Sequence, residues 1–175
     1  VDVDAFALQN AYEHNYGMAQ GQVVVLLNAG ATTINVSILQ GDRSVFTRNI
    51  SIGGNAYTEA VHKEIDLPLE SAEQLKKGIP VDGATFDDAQ PVLRAVTENV
   101  LLEIQKTFDF FRATASSDTI DRIMLSGGTS RVEGLREALK ERFDTEVEDF
   151  DPFKVVVWDA KKLGADAVDV SATAA

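Results

Sequence analysis

Two apolar runs flank a short polar turn in the stretch that decides the fold, VVVLLNAGATTINVSIL at Val23–Leu39. Val23–Leu27 is continuously apolar, which predicts a buried strand. Ile34, Val36 and Ile38 alternate with polar residues, which predicts a second strand that is half buried. In the NAGATT segment between them, a glycine lets backbone N–H groups converge on an anion and threonine hydroxyls add donors. An ordinary hairpin turn explains the same segment equally well.

The meander continues beyond this stretch. QGDR at Gln40–Arg43 predicts a turn, and SVFTRNISI at Ser44–Ile52 predicts a third strand. Three consecutive strands joined by short turns form an antiparallel meander.

Helical spacing of apolar residues predicts several helices around the meander. The first ends at Gly17, the second is capped by Asn55, a short third helix covers Asp66–Gly78, and a long fourth helix starts near Pro91. The fourth helix has a continuous apolar stripe, formed by Leu93, Val96, Val100, Ile104, Phe108 and Phe111.

A second glycine-containing turn lies in IMLSGGTS at Ile123–Ser130. A predicted strand runs into Gly127 and Gly128, and Ser130 with Glu133 forms a capping box that opens a helix. Paired glycines before a helix N-terminus suit a phosphate or a flat ring, although a tight strand-to-helix turn also requires glycine. The segment is not a Walker loop, because it lacks the Gly-Lys-Ser/Thr ending. We predict a final strand at Lys154–Trp158.

The segment AEQLKKG at Ala72–Gly78 places Glu73 and Lys76 on one helix face. A carboxylate there can accept ribose hydroxyls while an ammonium group approaches a phosphate or a ring edge. Solvent-exposed ion pairs at the end of a helix are the simpler alternative.

Composition excludes several function classes. The net charge of −12 and pI near 4.5 disfavour binding to nucleic acid, because the protein surface and the nucleic acid are both anionic. The chain has no cysteine, which excludes disulfides and thiolate metal sites. No apolar run approaches the roughly 18–20 residues of a membrane span, so no membrane insertion is expected.

A hydroxyl-rich turn, a Glu/Lys helix and a strand ending in Gly-Gly-Thr, in this order, resemble the second half of an actin-type ATPase. The chain is similar to the PilM family of type IV pilus assembly proteins, relatives of the cell-division protein FtsA. The resemblance covers nearly the whole chain through the motifs AFALQNAYE, NAGATTINVSIL, FTRNISIGGNAYTEAV, AEQLKKG, LLEIQKTFDFF, IMLSGGTSRVEGL and DPF.

The resemblance implies a mixed α/β fold. It would be an actin-like, ribonuclease H-like lobe with an antiparallel meander, a strand-helix-strand unit and a small helical subdomain insertion. Residues 1–22 would end the first lobe and form the interdomain helix, residues 23–66 and 118–175 would form subdomain 2A, and residues 67–117 would form subdomain 2B. We expect the chain to be a fragment that lacks the first lobe and the last helix.

The resemblance also implies a site for ATP, with Mg²⁺ as its companion. The phosphate turn would comprise Gly30, Ala31, Thr32 and Thr33. The helix that binds ribose and adenine would contribute Glu73, Lys76 and Lys77. The adenosine motif would comprise Gly127, Gly128 and Thr129, with Arg131 alongside the base. The turn that borders the ribose would comprise Gly53 and Gly54.

Asn28 departs from the family pattern. Actin-like ATPases usually place an aspartate at this position, where it holds Mg²⁺ through water and helps position the attacking water. Asparagine keeps a carbonyl oxygen but loses the negative charge, so its attraction for a divalent cation falls. We therefore expect slow or absent hydrolysis, only an indirect metal contact by Asn28, and no assigned catalytic residue.

The family role implies a cytoplasmic scaffold peripheral to the bacterial inner membrane. Its partners would be the cytoplasmic N-terminal tail of PilN, bound mainly by the first lobe, and other inner-membrane and motor components of the pilus. Two alternatives stay open. One is an active ATPase of the actin, chaperone and sugar-kinase superfamily, and the other is an interaction domain that has lost nucleotide binding.

Overall fold

The computed structural model of the protein describes residues 4–17, 21–114 and 119–155. The chain forms one five-stranded mixed sheet together with five α-helices in the described residues, which confirms the predicted α/β class. In chain order the elements are α1 (Asp4–Tyr16), β1 (Val23–Ala29), β2 (Ile34–Gln40), β3 (Arg43–Ile50), α2 (Gly54–Ile65), α3 (Leu69–Lys76), α4 (Phe86–Thr114), β4 (Arg122–Ser126), a 3₁₀ turn (Gly128–Arg131), α5 (Leu135–Phe143) and β5 (Glu146–Asp149).

The sheet has the strand order β3-β2-β1-β4-β5. β1 pairs antiparallel with β2, and β2 pairs antiparallel with β3, which confirms the predicted meander. β4 runs parallel to β1, with Asn28 opposite Ser126, and β5 runs parallel to β4. Because the carboxyl ends of parallel strands meet at one edge of a sheet, the turns after β1 and β4 are neighbours.

Both faces of the sheet are covered, so the prediction that β2 is half buried was wrong. Ile34, Val36 and Ile38 face the core that contains α2 to α5. On the opposite face, Leu39 packs in a second core with helix α1, and Ser37 is also buried. Alternation along β2 could not reveal this, because the covering helix comes from a different part of the chain.

Helix α4 starts earlier than the sequence pattern predicts. The prediction placed its start near Pro91, whereas the helix begins at Phe86. The Thr85 N–H and hydroxyl both donate hydrogen bonds to the Asp88 carboxylate, at 2.8 and 2.7 Å, and this pair forms the helix start. The apolar stripe predicted for α4 is buried at all six positions.

Two predicted helix caps were wrong. Helix α2 begins at Gly54, and the N–H of Asn55 donates to the carbonyl of Ala31 at 2.8 Å, so Asn55 lies inside the helix. Helix α5 begins at Leu135, whereas Ser130 donates its hydroxyl to the Gly127 carbonyl at 2.7 Å. The Asn55 N–H thus bonds to a turn distant in sequence, whereas the Ser130 hydroxyl bonds within its own turn, and neither side chain caps a helix.

The remaining boundaries differ in detail. The predicted helix at Asp66–Gly78 is confirmed as the shorter α3, Leu69–Lys76. Of the strand predicted at Lys154–Trp158, the first two residues lie in a turn and residues 156–158 lie outside the described residues. β5, which the sequence did not predict, comes earlier and pairs with β4.

Candidate functional site

The carbonyl oxygen of Gly30 joins three segments of the chain. The Thr129 hydroxyl donates a hydrogen bond to it at 2.7 Å, and the Gly54 N–H donates a second bond at 3.0 Å. The Gly30 N–H closes its own turn by donating to the Thr33 carbonyl at 2.9 Å. The turn after β1, the start of α2 and the turn after β4 therefore form one connected surface.

Close backbone packing explains why two of these positions are glycine. A Cβ on Gly127, whose φ is +86°, would lie 2.4 Å from the Ala29 carbonyl oxygen and 2.6 Å from Asn28 Oδ1. A Cβ on Gly53 would lie 2.6 Å from backbone atoms of Ala31. Both glycines let two backbone turns come into contact. For Gly127, this agrees with the structural alternative to ligand binding that the sequence left open.

A pocket of about 690 Å³ opens on this surface, between the starts of α2 and the 3₁₀ turn and the end of α3. It brings together eight of the predicted site residues: Ala31, Gly54, Glu73, Lys76, Lys77, Gly128, Thr129 and Arg131. The other predicted residues do not line it: Asn28, Gly30, Thr32, Thr33, Gly53 and Gly127. Of these, Thr32 and Thr33 are exposed at the tip of their turn, whereas Gly53 and Gly127 are buried beneath the pocket wall.

Three lining residues were missed by the sequence reasoning, namely Asn55, Ile79 and Val132. Ile79 is 49% exposed, which is unusual for a large apolar side chain, and it directly follows the AEQLKKG segment. With Val132 it supplies a branched apolar side chain to the pocket. An isoleucine next to the glycine that ends a charged helix was the available signal for this surface.

Two lysines surround the carboxylate of Glu73. The ammonium of Lys76, whose side chain is 11% exposed, contacts Glu73 Oε2 and lies 3.1 Å from the Thr58 hydroxyl and 3.3 Å from the Gly54 carbonyl. The ammonium of Lys77 lies 3.0 Å from Glu73 Oε1. Partial burial raises the pKa of Glu73, but hydrogen bonds from Lys76, Thr58 and Lys77 outweigh it and hold the pKa at about 2. Glu73 is therefore ionised at neutral pH, and the two ammonium groups are fixed at one end of the pocket.

Asn28 lies beside the pocket rather than in it. It stands near the end of β1, opposite Ser126 of β4, with its Oδ1 close to Gly127. Residues 4–17, 21–114 and 119–155 contain no cluster of three or more His, Cys, Asp or Glu side chains suited to a metal ion. Within the same ranges, no helix combines the length and the apolar character needed to cross a membrane.

A second groove, of about 370 Å³, lies between α4 and α5 and contains none of the predicted site residues. Its lining includes four carboxylates, those of Glu98, Glu133, Glu137 and Glu141, and one arginine, Arg94. Such a surface repels a phosphate-bearing ligand. The pocket beside Gly30 is therefore the candidate site for an anion.

Comparison with known proteins identifies the family. The family model described as type IV pilus assembly protein PilM matches residues 1–171. Among curated proteins, the chaperone protein HscA homolog of Rickettsia akari (strain Hartford) is 25% identical over 169 residues, which cover 86% of this chain and 28% of that protein.

Solved structures confirm the actin-like fold. The PilM-PilN type IV pilus biogenesis complex matches with a TM-score of 0.85 and 24% identity, over 98% of this chain and 48% of that chain. An archaeal actin homolog in complex with ADP matches with a TM-score of 0.63 and 17% identity, over 84% of this chain and 50% of that chain. The chain thus spans about half the length of these structures.

Proposed function

The chain belongs to the family of type IV pilus assembly protein PilM, and we propose that it serves the pilus machinery as a nucleotide-binding scaffold at the cytoplasmic face of the bacterial inner membrane. The observation that carries the nucleotide-binding part is the convergence of eight predicted residues, distant in sequence, on one pocket. A structural turn or an exposed ion pair, taken separately, would not require that convergence.

The chemistry of the pocket suits a nucleotide. Its volume of about 690 Å³ lies within the range of about 300–1,000 Å³ typical of small-molecule sites. Lys76, Lys77 and Arg131 outnumber the single carboxylate of Glu73, so this pocket carries net positive charge in a chain of net charge −12 and attracts an anion. Ile79 and Val132 supply apolar surface for a flat base.

Within this proposal each group has a role. The Gly30–Thr33 turn faces the phosphates from the rim, where the hydroxyls of Thr32 and Thr33 are exposed. Glu73, Lys76 and Lys77 bind the ribose and the adenine edge, and Gly128, Thr129 and Arg131 flank the base. ATP is the proposed ligand, and Mg²⁺ would accompany its phosphates.

We also propose the division into lobes that the family resemblance implies. Residues 1–22 would end the first lobe and connect it to the second, residues 23–66 and 118–175 would form subdomain 2A, and residues 67–117 would form subdomain 2B. The pocket then lies where the two subdomains meet, because Glu73, Lys76 and Lys77 belong to the inserted one.

ATP binding is tested by calorimetric titration of the full-length protein, with both lobes present, with ATP. Lys76→Met is expected to weaken binding by about tenfold or more, because it removes a largely buried charge from the pocket. Lys63→Met is the matched control, since the Lys63 side chain on α2 is 70% exposed and does not line the pocket. Absence of any ATP binding by the parent protein would favour the alternative of an interaction domain that has lost its nucleotide.

We propose that the bound nucleotide is hydrolysed slowly or not at all. Asn28 carries no charge with which to hold a hydrated Mg²⁺ beside the phosphates, because an amide oxygen attracts a divalent cation less than a carboxylate does. ATP would then act as a clamp that stabilises the form of the protein to which it binds best.

Steady-state phosphate release tests the clamp. The parent is expected to show little turnover, and Asn28→Asp is expected to increase it. Asn49→Asp makes the same chemical change on exposed strand β3 and is expected to leave turnover at the parent level. Brisk turnover by the parent would replace the clamp with the alternative of an active ATPase.

The proposed partner is the cytoplasmic N-terminal tail of PilN. The fold similarity to the PilM-PilN complex supports this choice, and the tail is expected to bind mainly outside this lobe. Fluorescence anisotropy with a labelled PilN tail peptide, with and without ATP, tests it. Binding that strengthens with ATP is expected, and binding of a scrambled peptide with equal strength would contradict the assignment.

A further inference from the structure

Strand β3 forms an open edge of the sheet. It pairs with β2 on one side, and no strand pairs with its other side in residues 4–17, 21–114 and 119–155. Seven of its eight residues are exposed or partly exposed, and only Ile50 is buried. A bulge at Val45 interrupts the edge and brings Arg43 and Arg48 to the same face. On either side of the bulge, the edge presents unpaired N–H and C=O groups to which another strand can bind.

An apolar wall stands beside this edge. The rings of Phe46 on β3 and Phe110 on α4 lie 5.7 Å apart, and Phe110 remains 56% exposed. Leu102, two turns earlier on α4, is 49% exposed. Leu102, Lys106 and Phe110 follow one another at four-residue spacing, so they share one face of the helix. A strand added to β3 would therefore rest its side chains against α4.

Charge distinguishes the edge from the rest of the surface. β3 contains two arginines, Arg43 and Arg48, and no carboxylate, although the whole chain has a net charge of −12. Arg43 forms an exposed ion pair, at 3.8 Å, with Asp42 in the preceding turn, so Arg48 is the less compensated of the two. Arg48 projects to the same face as Phe46, because side chains alternate along a strand. Its neighbour on α4 is Glu103, whose pKa is lowered by a hydrogen bond from Lys106 and further by the charge of Arg48. Glu103 already pairs with Lys106, and no ion pair of Arg48 within 4 Å is found among residues 4–17, 21–114 and 119–155.

We propose that β3 accepts an extended acidic segment of a partner protein as a sixth strand of the sheet. Main-chain hydrogen bonds to the open edge would provide affinity, as in other cases of strand addition. Carboxylates placed opposite Arg43 and Arg48 would provide specificity, and apolar side chains would pack on Phe46 and Phe110. A second copy of this chain is the less favoured occupant, since two copies of such negative charge repel each other.

This surface is separate from the nucleotide pocket. The pocket lies at the carboxyl ends of β1 and β4, whereas β3 lies beyond β2 at the edge of the sheet. Neither Arg48 nor Phe110 lines the pocket. Loss of ATP binding would therefore leave this inference intact, and loss of strand addition would leave the proposed nucleotide site intact.

The test uses a labelled peptide of Thr and Val with two glutamates placed to face Arg43 and Arg48. Fluorescence anisotropy is expected to show saturable binding to the protein. Arg48→Glu is expected to weaken binding by about tenfold, because it places like charges opposite each other. Arg94→Glu makes the same change on α4 outside this surface, and is expected to stay within about twofold of the parent. Arg48→Gln, which removes the charge without reversing it, is expected to fall between them.

Two control peptides separate strand addition from simple attraction. A peptide with lysines in place of the glutamates is expected to bind more weakly. So is a glutamate peptide N-methylated at every second residue, at those amides whose N–H groups would point toward β3, because it lacks the backbone donors along that edge. Equal binding of either control overturns the proposal, as does the absence of saturable binding at millimolar peptide. A dimer detected by light scattering and disrupted by Arg48→Glu would assign the edge to a second copy instead.

Discussion

Thr129 and Gly30 lie 99 residues apart in the chain, yet the Thr129 hydroxyl donates a 2.7 Å hydrogen bond to the Gly30 carbonyl oxygen. Thr129 follows β4 and Gly30 follows β1, so this bond connects the turns at the ends of two neighbouring parallel strands. Thr129 is 4% exposed, so a hydroxyl or carbonyl left without its partner there would have little access to water.

Replacing Thr129 by valine removes the hydroxyl while nearly preserving side-chain shape. We expect the free energy of unfolding to fall by about 1 kcal/mol, the usual contribution of a buried hydrogen bond. Urea denaturation followed by circular dichroism measures the change. Thr129→Ser keeps the hydroxyl and should lose less, whereas a valine variant as stable as the parent would show that the bond contributes nothing.

Gly127→Ala tests the close approach of the two turns. The added Cβ would meet the Ala29 carbonyl oxygen at 2.4 Å, and the φ of +86° disfavours any side chain. We expect a loss of about 3 kcal/mol or more, since backbone strain and a steric clash add.

Gly78→Ala is the matched control for that substitution. Gly78 also has a positive φ, +76°, but a Cβ there would have no atom within 4 Å. Its expected loss is about 1–2 kcal/mol, from backbone strain alone. Chemical denaturation of both variants measures the difference, and equal losses would exclude a role for the clash.

Glu73→Gln should destabilise the protein in a pH-dependent way. The pKa of about 2 in the folded protein lies below the ordinary glutamate value of 4.5, so the unfolded chain binds the proton more readily. The ionised carboxylate therefore contributes stability that is fully present above about pH 4.5 and is lost as the pH falls through about 2. The Glu73 side chain is 37% exposed, and after allowance for solvent screening we expect a contribution of about 1 kcal/mol at pH 7.

Urea unfolding of the parent and of Glu73→Gln from pH 7 down to the acid limit of folding measures this contribution. The stability difference should shrink continuously below pH 4.5. A constant difference between parent and Glu73→Gln across the pH range would contradict the assigned role of the ionised group.

Phe108 and Phe110, two residues apart on α4, differ in burial and therefore in their expected contribution to stability. Phe108 is fully buried, and its ring packs edge-on against Phe143 with centroids 4.7 Å apart. Phe108→Ala is expected to cost about 3–5 kcal/mol through lost burial and a cavity. Phe110→Ala should cost less than about 1 kcal/mol, because its side chain is 56% exposed. Thermal or chemical denaturation compares them, and a large loss in Phe110→Ala would place that residue in the core rather than on a binding surface.

The meander and the stripe of α4 were predictable because local pattern encodes them. β1 follows from a continuous apolar run and the α4 stripe from a repeat of about four residues, and both segments bury the side chains that these patterns select. β5 lacks this signal. Its four residues, Glu146–Asp149, include only one buried side chain, Val147. Its pairing with β4 and the contacts of Arg136 and Lys140 with its carboxylates depend on tertiary structure.

The candidate site was predictable in composition but less so in geometry. Its residue types and order pointed to the correct three segments, and eight of the predicted residues line one pocket. The sequence could not separate residues that face the pocket from glycines that only allow backbone packing, such as Gly53 and Gly127. That distinction depends on contacts between turns distant in sequence, as does the hydrogen bond of the Asn55 N–H to Ala31. Ser130 instead bonds to Gly127 within its own turn.

The single carbonyl of Gly30, which accepts bonds from both Gly54 and Thr129, has a consequence for binding kinetics. The wall it unites is already ordered by internal hydrogen bonds before any ligand arrives, so this wall is preorganised and contributes little ordering entropy to association. Slow steps in ligand entry or release should therefore arise in the part of the protein opposite this wall. Substitutions in that opposite part should change the rates of ligand entry and release and leave the hydrogen bonds of the Gly30 carbonyl intact.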